Sequence, residues 1–162
     1  MQELRDEIIR VAQSYVGIKE HNRSNVDPDG VIESFWKEWE DSRVHEDIGP
    51  GYAWCAIFVS AVYAQSGAAL DHENGVGFSY VPFFLSFSKD EGSFTDDVEI
   101  VSPGDIIFYN ERGLGRPDHI GIIEKIEGGW IHTIEGNYNN AVSRRMVTIG
   151  GSNIVGFAVL EE

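Results

Sequence analysis

Cys55 is the chain's only thiol, and it stands in YAWCAIFVSAVYAQSG (52–67), just where the turn residues Gly49, Pro50 and Gly51 give way to a long apolar run. A cysteine in the first turn of a helix differs from an ordinary buried one, because unpaired N–H groups and the positive end of the helix dipole favour the thiolate. A lone cysteine on an apolar helix is more often inert, so the other residues must decide between the two readings. A thiol nucleophile needs a group to take its proton, and histidine is the usual one. Of five histidines, His21, His45 and His72 lie among charges in loop-like stretches and read as solvated. His119 opens PDHIGII after the long loop 110–118, where it can sit at the rim of a sheet, whereas His132 lies inside WIHTIEGN.

Alternation along that last segment places Ile131, Thr133, Glu135 and Asn137 on one face and Trp130, His132 and Ile134 on the other. A carboxylate at Glu135 could hold the tautomer of an imidazole and stabilise the imidazolium. The Asn137 amide could orient the ring or donate to an oxyanion. EGN could equally be a plain turn. Asp118 precedes His119 directly, so its side chain should point to the opposite face, and it reads as a loop carboxylate.

The elements that must position these groups come in two blocks. Leu4, Ile8, Val11, Ala12 and Tyr15 recur at helical spacing up to Gly17, and Ile32, Phe35, Trp36 and Trp39 do so within 31–40. A third helix is predicted from about Trp54 to Ser66, and 80–92 reads as a short helix or an apolar connector. From SPGD (102–105) onward, DIIFYN, HIGIIEKIEGGWIHTIEGN, SRRMVTIG and IVGFAVLEE are β-branched and aromatic runs separated by Gly and Asn turns. EGG (127–129) between two such runs signals a hairpin. Helices followed by strands describe an α+β domain, with N-terminal helices packed on a C-terminal antiparallel β-sheet. At 162 residues the chain is expected to be one domain over 1–162 and a monomer.

Twelve basic against 27 acidic residues give a net charge of −15, which argues against nucleic acid and anionic membrane surfaces as partners. One cysteine excludes a disulfide framework and a Cys-rich zinc site, so neither metal nor cofactor is expected. NVDPDG (25–30) matches the first half of a calcium loop, but Trp36 stands where the bidentate Glu belongs, so an Asp-Pro turn is the preferred reading. The charged N-terminus is not a signal peptide, and no apolar run is long enough to span a membrane. Phe35, Trp36 and Trp39 share helical spacing, which favours core packing. Trp36, and Trp54 beside the thiol, are the candidates for binding substrate.

YAWCAIFVSAVYAQSG, SPGDIIFYN, DHIGIIEKIEGG and HTIEGN, in this order, resemble the CHAP family of cysteine peptidases and amidases. The IKE…SN stretch (18–25) is similar to the segment ahead of the cysteine in many such domains. The resemblance implies a papain-like fold, with Cys55 as nucleophile, His119 as base, Glu135 as orienting carboxylate and Asn137 in support. It further implies cleavage of an amide bond in peptidoglycan through a thioester, by an N-acetylmuramoyl-L-alanine amidase or a stem- or cross-bridge endopeptidase acting at the bacterial cell wall. Delivery could be by phage-type release, by non-classical export, or as a domain of a longer secreted protein. An acyltransferase or isopeptidase with the same Cys-His site, and a non-catalytic wall-binding module, are the alternatives.

Overall fold

The apolar stripe of the first segment folds as expected. In the computed structural model, which describes residues 1–22, 25, 27–35, 53–68, 70 and 77–160, α1 spans Gln2–Ser14 and buries Ile8, Val11 and Ala12. Only Val31–Ser34 (α2) of the helix expected over 31–40 lies within the described residues, followed by the buried Phe35. Trp36, Trp39, His45 and His72 lie outside them. In NVDPDG, Asp27 accepts the N–H groups of Ile32 at 2.7 Å and Asp29 at 3.3 Å, so both its oxygens serve a turn that starts α2.

α3 (Cys55–Gln65) is buried through all nine residues from Cys55 to Tyr63, which explains its lack of a polar face. It packs on the sheet and carries Phe58 into a ring cluster with Phe35 and Tyr15. Each such side chain stabilises the fold by roughly 1.5–3 kcal/mol on burial. α4 (Val81–Asp90) resolves the ambiguous 80–92 segment as a helix, with Pro82 in its first turn, where a missing N–H costs nothing.

The strands are β1 (Phe94–Thr95), β2 (Ile106–Tyr109), β3 (His119–Glu127), β4 (Trp130–Tyr138), β5 (Ala141–Thr148) and β6 (Ile154–Ala158). They form one six-stranded sheet in the order β1-β6-β2-β3-β4-β5, with antiparallel pairing throughout. The EGG hairpin joins β3 to β4, and both its central glycines have positive φ (58° and 81°), as a two-residue type I′ turn requires. Ile106, Phe108, Ile120, Ile122 and Ile134 face α3, while Ile107, Tyr109, Ile123, Ile131 and Val147 form a second core on the other face. Residues 17–20 run beside β5 through bonds such as Gly17 N–H to Val142 O (2.9 Å), which covers that edge. Among the described residues no helix is long and apolar enough to cross a membrane.

Candidate active site

Cys55 is the first residue of α3, after a Trp54 N-cap that offers no side-chain bond. The first helical bond runs from Phe58 N–H to Trp54 O, so the N–H groups ahead of it, that of Cys55 included, have no intrahelical acceptor. His119 opens β3 opposite Tyr109, the last residue of β2, so its ring sits where the sheet ends. Its Nε2 lies 2.8 Å from Glu135 Oε2, and the Cys55 side chain is its other hydrogen-bond partner. With Nε2 taken by the carboxylate, Nδ1 is the nitrogen left for the thiol.

Glu135 is fully buried. Thr133 Oγ1 donates to its Oε1 at 2.7 Å, and Arg145 Nη1 lies 3.6 Å from Oε2. Arg145 is clamped between the rings of Tyr109 and Tyr138, 4.7 and 5.0 Å from their centroids, and also pairs with Glu111. Tyr109 stacks on the His119 ring at 5.8 Å, and its buried hydroxyl lies beside Glu135 and Thr133, outside good hydrogen-bond geometry. Burial alone would raise the Glu135 carboxyl, but His119 and then Thr133 hold it below its ordinary value. Burial likewise opposes the charged form of His119, yet Cys55 and Glu135 outweigh it and push the imidazole up to about 10. A thiol, an imidazole and a buried carboxylate in this order can form a thiolate–imidazolium pair.

The CHAP domain family model matches residues 47–137, more than half of the chain and the span that holds all these groups except Arg145 and Tyr138. The chain belongs to the CHAP domain family. Its fold is similar to that of the peptidoglycan hydrolase RipB from Mycobacterium tuberculosis, with a TM-score of 0.53, 14% identity and coverage of 99% of this chain and 66% of that one. An NLP/P60-family protein of Staphylococcus aureus, described as similar to lipoprotein, gives 0.53 at 13% identity and 100% and 43% coverage. An NlpC/P60 family protein of Bacillus cereus gives 0.51 at 13% identity and 96% and 39% coverage. At such identities the likeness is one of fold, and this chain spans less than two thirds of the length of each of these proteins. Comparison with curated proteins by sequence finds no match.

The CHAP cysteine lies between two cavities. One, of about 410 Å³, is lined by Cys55, His119, Asn137, Tyr138, Glu111 and Arg112 among others. The second, of about 170 Å³, extends from Cys55 toward the start of α4 and the far end of the 110–118 loop. Asp118 accepts the N–H groups of Glu111 (2.7 Å) and Arg112 (2.9 Å), so it pins this loop. His132 faces away from the site, 3.7 Å from Glu127.

Two expectations need correction. Trp54 is fully buried and donates its indole N–H to Glu20, so it offers no surface to a substrate; its neighbour in sequence reaches the cavity because the helix starts between them. Asn137 does not share the face of Glu135. Pairing runs from Glu135 opposite Ser143 to Tyr138 opposite Ala141, which leaves one extra residue in β4, and Asn137 takes a left-handed φ of 55°. The bulge advances the alternation by one, so Tyr138 rather than Asn137 meets Arg145 on the Glu135 face. Asn137 lines the cavity with Cys55 instead.

Four residues beside the site escaped sequence reasoning: Tyr109, Thr133, Arg145 and Gly121. Thr133 was visible on the alternating face without a stated role. A Cβ on Gly121 would stand 2.7 Å from Glu135 Cγ, so this glycine leaves the hole that the carboxylate occupies. Gly136 has the same use toward α3, since its Cβ would lie 2.4 Å from that of Phe58.

Proposed function

We propose that this CHAP domain is a cysteine-dependent peptidoglycan hydrolase that cleaves an amide bond of the bacterial cell wall, acting as a monomer without a metal or cofactor. What carries the reading is the His119 ring, held by Glu135 through one nitrogen and partnered by Cys55 at a helix start that opens onto a cavity. Fully burying Glu135 beside a histidine is costly unless the pair works, which favours turnover over a passive binding module. The CHAP family and the peptidoglycan hydrolase among the similar structures support the cell wall as the substrate.

The steps use these side chains alone. His119 takes the thiol proton, and Glu135 stabilises the imidazolium that forms. Cys55 Sγ attacks the amide carbonyl carbon, forming a C–S bond while the carbonyl electron pair moves to oxygen. Backbone N–H groups at the start of α3, that of Cys55 among them, are suited to that oxyanion. The oxyanion collapses, the C–N bond breaks, and His119 returns its proton to the leaving amine. Water, deprotonated by His119, then splits the thioester to a carboxylic acid and the free thiol. Asn137 lines the same cavity and is the supporting polar group of this reading.

Digestion of purified sacculi, with mass spectrometry of the products, tests this. New lactyl ends on muramic acid identify an N-acetylmuramoyl-L-alanine amidase, and new amino ends on stem or bridge residues identify an endopeptidase. Cys55→Ser should abolish release while leaving stability within about 1 kcal/mol, since serine suits a helix start. Undiminished release by Cys55→Ser would overturn the mechanism.

A further inference from the structure

The smaller cavity beside Cys55 carries an electrostatic signature opposite to that of the chain. A protein of net charge −15 has few cations to place, yet two arginines of the 110–118 loop, Arg112 and Arg116, line this cavity. Its one acid, Asp118, is occupied by the two backbone N–H groups that shape the loop and by Arg112 Nε at 3.2 Å. The terminal nitrogens of Arg112 make no bond to a described residue, and its side chain is 68% exposed. Among the described residues Arg116 is the arginine with no carboxylate partner; its Nη1 donates to the neutral Tyr80 hydroxyl at 2.9 Å. That bond uses one of five guanidinium donors, and Val81, Pro82 and Pro117 line the same cavity. A planar, positioned cation against apolar surface is suited to a carboxylate, which it can bind through two parallel bonds.

We propose that this cavity is a carboxylate-binding subsite, in which Arg116, aided by Arg112, holds an acidic group of the substrate next to the scissile amide. The proposal rests on the hydrolase reading above and adds its substrate class: the peptide on one side of the cleaved bond carries a free carboxylate. An overall negative protein would otherwise repel such a substrate, so the two arginines supply binding and selectivity together.

Two measurements test it. The first compares hydrolysis of native sacculi with that of sacculi whose free carboxylates have been converted to N-methylamides. The wild type should lose on the order of tenfold or more in kcat/KM on the amidated wall, the effect of losing a charge-assisted bond. Arg116→Gln should lose as much on the native wall and little further on the amidated one, with Arg116→Lys falling between them. The second needs no hydrolysis: the rate of Cys55 alkylation by anionic iodoacetate relative to neutral iodoacetamide. This ratio should fall severalfold in Arg112→Gln/Arg116→Gln, in folded protein verified by near-UV circular dichroism. An unchanged alkylation ratio, or an Arg116→Gln variant that keeps the wild-type preference for native wall, overturns the subsite. A falling ratio in a protein that cleaves neither wall would instead overturn the hydrolase reading and leave the anion site standing.

Discussion

Asp105 and Glu135 are both completely buried, yet their partners differ in kind. Asp105, from the SPGD stretch, receives Arg5 Nη1 at 2.6 Å, Leu160 N–H at 2.9 Å and Ser102 N–H at 2.8 Å. Arg5 also donates to the carbonyls of Pro103 and Leu160, so one knot ties α1, the start of β2 and the C-terminal end of the chain. A guanidinium is a permanent charge and backbone N–H groups do not move, so these partners make a fixed structural knot. Glu135 is held by an imidazole, a hydroxyl and a more distant arginine. An imidazole can change its charge at accessible pH, so this carboxylate belongs to an assembly with two states. Two equally buried acids thus differ in whether their partner can titrate, and that difference is what the proposed role of Glu135 rests on.

Removing each acid should separate these roles. Asp105→Ala leaves Arg5 nearly buried without its counter-charge and should destabilise the fold by about 3–5 kcal/mol. Measured by urea unfolding, this is the largest expected loss of stability, whereas kcat/KM of the folded fraction should stay within a few-fold of wild type. If activity fell as far as stability, the knot would also be supporting the site.

Glu135→Gln should weigh mainly on turnover, with kcat/KM falling on the order of 10²-fold and a smaller loss of stability near neutral pH than Asp105→Ala shows. The sign of its pH dependence follows from the shifts. His119 is raised from its ordinary 6.5 to about 10, so its contribution to stability is full below about pH 6.5 and is lost as pH rises through about 10. Glu135 is lowered, so its contribution is present above its ordinary 4.5 and is lost as pH falls through its folded value. Without the carboxylate, the alkaline limb of the pH–rate profile should move from near pH 10 toward neutrality. An unmoved limb would show that Cys55 alone raises the imidazole.

Gly121→Ala sharpens the contrast without touching charge. The added methyl claims the space of Glu135 Cγ and should cost roughly tenfold in kcat/KM, with about 1–3 kcal/mol of stability, because overpacking displaces the carboxylate. Asn137→Ala should have the smallest effect, about fivefold in kcat/KM with the alkaline limb in place, as expected for a neutral polar group lining the cavity. Collapse of activity in this variant would make Asn137, and not Glu135, the group that orients the ring.

Much of this was legible because it is local. The run after Gly51 announced a helix beginning at Cys55, the loop 110–118 announced a strand beginning at His119, and EGG announced the hairpin that joins β3 to β4. Alternation correctly set Glu135 apart from His132. It failed two residues later, since a bulge depends on what the neighbouring strand and helix require and no pattern of polarity marks it. Trp54 misled for a related reason: an aromatic residue beside a nucleophile reads as a groove wall, but its indole points into the core toward Glu20.

The sequence by itself determined the order of elements, the helix start at the thiol and the strand start at the imidazole, because turn residues and hydrophobic periods act over a few residues. Only the tertiary structure decided that Glu135 enters the space left by Gly121, that Arg145 reaches it from β5, and that Arg112 and Arg116 gather beside Cys55. These depend on register, on a missing side chain and on a pinned loop. Each is a relation between segments distant in the chain, and chain-local propensities carry no information about which segments will meet.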